Sequence, residues 1–277
     1  MTIDEIIENA LLEDIGDGDH TSLSCIPVNS FGKAKLLVKE EGIIAGIEIA
    51  RKVFEKVDKS VIFNQLLKDG DEVKPGDIVF TVEGNPISLL SSERLALNFL
   101  QRMSGIATKT HQMVKLLEGL NTKLLDTRKT TPNLRLLEKM AVKIGGGENH
   151  RFGLYDMIMI KDNHVDFSGG IRNAITNVNQ YLKSKNKNLK IEIEVRNFDE
   201  LNEVLAIGGI HRIMLDNFTP ENLKKAVGII NGLYETEASG GITELSLRQY
   251  AETGVDFISV GSLTHHIKSL DLSLKAY

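Results

Sequence analysis

The sequence predicts an α/β protein in two parts: a small N-terminal α/β or α+β domain, then an open, incomplete (βα) barrel. Three observations carry this expectation. From about residue 122 short apolar runs alternate with amphipathic stretches, the pattern of buried parallel strands joined by helices. The polar residues ending the last four runs recur at intervals of 22, 23 and 22 residues, about one βα unit each. The first 90 or so residues lack that rhythm and mix alternating runs with turn signals.

In chain order, "AKLLVKEEGIIAG" and "GDIVFTVEG" read as strands, and "DEVKPGD" and "EGNP" as turns. "SSERLALNFLQRMSGIATKTHQMVKLLE" then places Leu95, Phe99, Leu100, Met103, Ile106 and Ala107 at helical spacing behind Ser91 or Ser92 as cap. A long helix here links the two domains. Beyond it, strands are expected at "TKLLDT", "YDMIMIK", "LKIEIEV", "RIMLDN", "LYETEAS" and "DFISVG". Helices between them carry Ile171, Ile175, Val178 and Leu182, then Leu201, Val204 and Leu205, and one opens at Thr219-Pro220 with a cap and a proline at the first helical position. The strands end at Thr127, Lys161, Glu194, Asp216, Ser239 and Gly261. In a barrel such ends converge on the face that holds the active site. Only about 140 residues hold these strands, whereas a closed eight-stranded barrel takes roughly 200 or more, so the barrel is expected to be open.

Composition narrows the function classes. The chain has 277 residues, 42% of them hydrophobic, enough to bury a sizeable core. No stretch approaches the roughly 18 apolar residues of a membrane span. The start, "MTIDEIIENALLEDIGDGDH", is acidic rather than basic-then-apolar, so no signal peptide is expected. Cys25 is the only cysteine, which excludes an internal disulfide and a cysteine-rich zinc site and makes the cytoplasm the expected compartment. A net charge of −5 argues against a nucleic-acid partner, but a few cations can still converge on an anionic small molecule.

Several residues at the strand ends carry chemistry. Arg128 and Lys129 follow the first barrel strand, one a planar fork suited to carboxylate or phosphate, the other a point charge. They also fit a solvated basic pair. Lys161 ends an apolar strand and is followed by Asp162, Asn163 and His164. It reads as a functional cation, and a Schiff-base nucleophile is a second reading of the same lysine. Glu192 and Glu194 share one strand face. A carboxylate turned into a barrel needs a partner, for which Lys161, Mg²⁺ and sugar hydroxyls are candidates. Asp216 repeats that logic one strand on, although either acid could instead cap the next helix. "EASGGIT" and "ISVGSLTHH" end the last two strands in small residues, the usual barrel phosphate site.

"KIGGGENHRFG" (143–153) suggests a phosphate loop, yet it lacks the lysine and hydroxyl of a GxxxxGK[ST] motif. Its three glycines are expected to let the backbone turn and approach a ligand, delivering His150 and Arg151 to a carboxylate.

Taken together, "ERLALNFLQRMSGIAT", "DTRKTTPNLRLLEKMAVKIGGGENHRFGLYDMIMIKDNHV", "EIEV", "LDNF", "EASGGI" and "VGSLTH" resemble the quinolinate phosphoribosyltransferase family over nearly the whole chain. The resemblance implies an N-terminal α/β sandwich domain over 1–105, completed by 266–277, and an open α/β barrel of six or seven parallel strands over 106–265. It implies transfer of phosphoribosyl from phosphoribosyl pyrophosphate to quinolinate with decarboxylation, giving nicotinate mononucleotide, diphosphate and CO₂. It also implies Mg²⁺, a homodimer with interfacial active sites, and further assembly into hexamers. By the family pattern Arg94 reaches the partner subunit's site, and Thr127, Arg128, His150, Arg151 and Lys161 bind quinolinate. Lys129, Lys161, Glu194, Asp216, Ser239, Gly240, Gly241, Val260, Gly261, Ser262 and His265 bind phosphoribosyl pyrophosphate. Catalysis falls to Arg128, Lys129, Lys161, Glu194 and Asp216, with the last two acids meeting Mg²⁺ indirectly through the diphosphate. Arg196 departs from the acidic or neutral residue often found there. Three alternatives stand beside this: a molybdenum-locus paralogue of the same fold with another substrate, a Schiff-base barrel lyase using Lys161, and a non-catalytic binding module.

Overall fold

The computed structural model describes all 277 residues, which contacts divide into two compact units. The first comprises Met1–Gln112, Lys129–Gly146 and Ser262–Tyr277, and the second Met113–Arg128 and Gly147–Gly261. The first therefore includes the segment Lys129–Gly146, which the sequence places with the barrel.

The first unit opens with α1 (Ile3–Ile15) and α2 (His20–Cys25), followed by β1 (Gly32–Val38), β2 (Gly42–Ile43), α3 (Ile47–Val57), β3 (Ile62–Gln65), β4 (Glu72–Val73), β5 (Ile78–Gly84) and α4 (Pro86–Lys115). The chain forms β6 (Lys123–Leu125) in the second unit and returns to the first for α5 (Arg135–Ile144). The second unit then adds β7 (Ile158–Ile160), α6 (Asp162–Ser168), α7 (Ile171–Ser184), β8 (Ile191–Val195), α8 (Phe198–Ile207), β9 (Arg212–Asp216), α9 (Pro220–Ile230), β10 (Glu235–Ser239), α10 (Glu244–Ala251) and β11 (Phe257–Ser259). The first unit closes with α11 (Ser262–His265) and β12 (Leu272–Ala276).

In the first unit the sheet order is β12-β1-β5-β3, antiparallel throughout. Alternation in β1 buries Ala34, Leu36 and Val38, and Phe54, Phe63 and Phe80 form an aromatic cluster in the same unit. Each fully buried Leu, Ile or Phe contributes about 1.5–3 kcal/mol. Helix α4 starts earlier than its serines predict. Pro86 takes the first helical position, and the Asn85 side chain accepts the Ile87 N–H at 2.9 Å. Ser92 lies inside the helix, donating to the Ser88 carbonyl at 2.8 Å. A Cβ on Gly105 would lie 2.3 Å from the Lys268 carbonyl, so α4 and the C-terminal segment approach as only glycine permits. Gly145 has a similar reason, since a Cβ there would meet the Ala107 carbonyl at 2.4 Å.

In the second unit all six predicted strands form, in the order β6-β11-β10-β9-β8-β7, and every pair is parallel. Thr219 caps α9 with Pro220 behind it, as the sequence indicates, and Asn197 caps α8. No ladder joins β6 to β7, so the sheet is open. A single residue, Glu148, bridges in parallel to Leu125 on the exposed edge of β6. No helix of the chain is long and apolar enough to cross a membrane.

Candidate active site

Because the second unit's strands are parallel and in register, their C-terminal ends lie along one sheet edge. Ser239 is level with Asp216, Leu215 with Val195, and Ile193 with Ile160. Lys161 follows β7 directly, and its Nζ is 3.0 Å from Glu194 Oε2 at the end of β8. The lysine is half-exposed and Glu194 only 9% exposed, so the pair sits at the rim with its acid turned inward. Neither acid caps a helix. Asp216 instead accepts the Asn217 side-chain amide at 2.6 Å. After β10 the chain turns through Gly240 and Gly241, both at positive φ, and a Cβ on Gly240 would fall 2.2 Å from Asn217 Oδ1. The two glycines of "SGG" are thus required by the turn. Arg196 is absorbed locally by a 2.7 Å pair with Glu200.

The segment after Gly146 is tied to β6 by a residue that sequence reasoning passed over. Asp126 is fully buried, accepting the His150 N–H at 2.8 Å and the Asn149 side-chain amide at 2.6 Å. Its position directly before Thr127-Arg128 was the available signal. The exposed Arg128 and the partly buried Arg151 come from the two strands of chain so joined. Burial lowers the Arg151 guanidinium pKa, and repulsion from Arg128 lowers it further. Arg151 Nη1 donates to the Met157 carbonyl at 3.2 Å. Two neighbouring guanidiniums make a site that a dianion relieves.

His150 is enclosed by acids that its local sequence does not show. Its side chain is 4% exposed and turned inward, with Nε2 3.0 Å from Glu192 Oε2 and 3.2 Å from Glu237 Oε2. The glycines accordingly serve close packing at Gly145 and a turn at Gly146 (φ 91°), while the imidazole is directed at the acids of β8 and β10. Burial disfavours the imidazolium, but the two carboxylates outweigh it and raise the pKa to about 9. Burial and the Glu237 charge push Glu192 up to about 7. Burial also raises Glu237, but His150 and Arg212 hold it below the usual carboxylate range. Nδ1 accepts the Arg151 N–H at 2.6 Å, so the ring proton lies on Nε2 and any further proton on the carboxylates. Arg212 completes the cluster, donating to Glu237 at 3.0 Å and to Glu235 at 3.0 and 3.2 Å, with its guanidinium 4.0 Å from the Phe257 ring centre. Glu192 was seen only as the strand-mate of Glu194, and Glu237, Arg212 and Glu235 not at all. Their one signal is a charged residue within a strand expected to be buried.

Four predicted residues, Arg94, Lys129, Ser262 and His265, belong to the first unit. Arg94 is exposed on α4. The Lys129 carbonyl accepts Thr264 Oγ1 at 2.8 Å, which ties this loop to α11. Burial lowers the His265 pKa, and the charges of His266 and Lys129 lower it further.

An open parallel sheet with cations, two acids and a glycine turn at its strand ends defines an α/β enzyme that handles small anionic substrates. Family models for the N-terminal and C-terminal domains of quinolinate phosphoribosyl transferase match residues 19–104 and 106–275. The chain belongs to the quinolinate phosphoribosyl transferase family. It is 47% identical to the chloroplastic nicotinate-nucleotide pyrophosphorylase (carboxylating) of Arabidopsis thaliana, over 98% of this chain and 81% of the relative. It is 43% identical to the probable nicotinate-nucleotide pyrophosphorylase (carboxylating) of Bacillus subtilis, over 99% of this chain and 93% of the relative. The crystal structure of NadC from Streptococcus pyogenes superposes with a TM-score of 0.94 at 41% identity, covering 99% of this chain and 95% of that one.

Proposed function

We propose that the chain joins quinolinate to phosphoribosyl pyrophosphate and releases diphosphate and CO₂, forming nicotinate mononucleotide. The observation that carries this is the Arg128–Arg151 pair beside Lys161 and Glu194, in a chain of this family. An arginine pair held against its own repulsion suits the two carboxylates of quinolinate, and each charge-assisted bond contributes roughly 1.5–3 kcal/mol. Thr127 adds a hydroxyl to the same loop. Lys161 is placed to exchange its contact with Glu194 for a substrate carboxylate, leaving Glu194 and Asp216 to accept ribose hydroxyls. The backbone turns at Ser239–Gly241 and at Val260–Gly261 offer amides to a 5′-phosphate. Lys129, Ser262 and His265 enter on the family pattern alone.

The pyridine nitrogen attacks ribose C1 as the C1–O bond breaks, and that electron pair leaves with diphosphate. Carboxylates near C1 stabilise the positive charge that develops there. Loss of CO₂ then leaves an electron pair on the ring carbon, stabilised by the adjacent cationic nitrogen, until a proton replaces the carboxylate. No side chain need act as nucleophile; orientation carries the rate. Glu194 and Asp216 end adjacent strands and belong to no cluster of three donors, so they would hold Mg²⁺ only with substrate phosphates completing its shell. When bound, Mg²⁺ neutralises charge on the leaving diphosphate.

The proposed assembly is a homodimer, and a hexamer beyond it, with Arg94 entering the partner's site. Exposed Leu12, Leu23, Val28, Phe31 and Leu90 on the first unit support burial against another copy. The proposed compartment is the cytoplasm, which suits the exposed free thiol of Cys25. The Schiff-base reading lacks its requirement, because Lys161 is half-exposed and engaged by Glu194 rather than desolvated. A turnover assay with phosphoribosyl pyrophosphate and either quinolinate or nicotinate tests the function. Consumption of quinolinate with one CO₂ per product is expected. Turnover of nicotinate alone would overturn it and favour a paralogue with another substrate.

A further inference from the structure

The second unit contains one buried cluster whose polar atoms are incompletely used. Glu192 is 0% exposed, and neither of its oxygens meets an aligned donor; Glu237 Oε1 is in the same position. Both acids nonetheless converge on one group, the His150 Nε2, at 3.0 and 3.2 Å, as ion-pair contacts rather than aligned hydrogen bonds. Buried charge so poorly satisfied is retained at a cost, which asks for a use.

The use lies on the other side of the ring. A neutral imidazole carries a single N–H. With Nε2–H drawn between two carboxylates, Nδ1 is left with its lone pair directed at the Arg151 amide, 2.6 Å away. Flipping the ring would put C–H against the acids and break both contacts. We infer that His150 is a positioning residue for Arg151: Glu192 and Glu237 fix its tautomer and orientation, and its Nδ1 anchors the Arg151 backbone so that the guanidinium faces Arg128. The guanidinium is anchored at its far end by the Met157 carbonyl, so Arg151 is held at both ends. The same tautomer argues against a metal ion among the three side chains, since a ligating Nε2 could not keep its proton. Arg212, already paired with Glu237, offsets charge that a cation would otherwise meet.

This inference rests on the reading of Arg151 as a quinolinate ligand, so its test has one arm that does not depend on activity. In the intact wild-type protein, ¹⁵N chemical shifts and long-range couplings of the His150 ring should report an Nε2–H tautomer, and the Arg151 amide should exchange slowly. An Nδ1–H tautomer or a fast-exchanging amide overturns the inference. The kinetic arm compares two substitutions. His150→Asn places an acceptor oxygen near the Nδ1 position, whereas His150→Gln reaches towards the acids and loses that acceptor. His150→Gln should raise KM for quinolinate about tenfold with kcat within about threefold, and His150→Asn should restore part of the lost affinity. Equal KM losses in both variants overturn it, as expected if the ring touches substrate itself. Should His150→Asn fail to fold, Glu192→Gln replaces it; this variant should speed Arg151 amide exchange, and an unchanged rate overturns the inference. A wild type that turns over no quinolinate overturns the proposed function, while the NMR signature still decides the contact.

Discussion

In the first unit Glu138 is 1% exposed and both its oxygens are used. Oε1 takes Arg102 Nε and Nη2 at 2.8 and 2.6 Å, and Oε2 takes the Thr131 N–H at 3.2 Å. Arg102 Nη2 also donates to Thr131 Oγ1 and the Thr264 carbonyl, at 2.9 and 3.0 Å. In the second unit Glu192 is as buried, yet it has an ion-pair neighbour and no aligned donor. Both are acids on regular elements, buried against a basic partner. The first binds α4, α5 and the loop before it into one body. The second spends its charge on orienting a ring. The difference teaches that burial of a charge does not reveal its role; the completeness of its hydrogen bonding does.

The largest expected effect separates ligand binding from both networks. Arg128→Ala should lower kcat/KM for quinolinate by about 100-fold or more, since a charge-assisted pair is lost from the site. Urea unfolding should leave its stability within about 0.5 kcal/mol of wild type, because Arg128 is exposed. Near-normal turnover would remove it from the site. Next, Glu138→Ala should destabilise the protein by about 3 kcal/mol, because it strands Arg102, whose side chain is only 29% exposed. A loss below about 1 kcal/mol in the same urea titration would break the comparison.

The third effect is a pH dependence owed to the second network. The His150–Glu192–Glu237 cluster holds an extra proton more tightly when folded, which raises the His150 pKa to about 9 from an ordinary 6.5; because Nδ1 accepts the Arg151 N–H, that proton lies between Nε2 and the carboxylates. The associated stability is full below pH 6.5 and is lost as pH rises through 9. Glu192, raised from 4.5 to about 7, acts in the same direction between those values. Wild-type stability should therefore fall between pH 6.5 and 9 by on the order of 1–3 kcal/mol, and His150→Gln should flatten the slope. Stability that rises over this interval would contradict the proton placement. The smallest effect is Glu192→Gln, which should change stability at pH 7 by less than about 1 kcal/mol, because the carboxylate it removes has no aligned donor. A loss equal to that of Glu138→Ala would make the two networks alike.

Much of the strand-end geometry was legible because it is local. An apolar run closed by Lys161, Glu194, Asp216 or Ser239 identifies both the strand and the residue at its end, and parallel connection brings those ends to one edge. Lys161, which meets Glu194, is one of three partners that the need of an inward acid leaves open, beside Mg²⁺ and sugar hydroxyls. The start of α4 was misplaced because Ser91 and Ser92 carry cap chemistry while Pro86, five or six residues earlier, had been spent on a turn signal. The direction of His150 was illegible for a different reason. Glu192 and Glu237 are 42 and 87 residues away, and nothing in "GENHRFG" records which way its imidazole turns.

By itself the sequence determined the order and type of the barrel elements, the residues at their ends, the absence of a GxxxxGK[ST] phosphate loop and the family resemblance. These depend on residue type and spacing along the chain. Only the tertiary structure decided that the glycines of "KIGGGENHRFG" serve packing and a turn, that Asp126 ties the segment to β6, and that His150 supports Arg151 from within. Those outcomes depend on which distant backbones and charges meet in a desolvated interior, where a misplaced proton or methyl group is expensive and only one arrangement satisfies the neighbours.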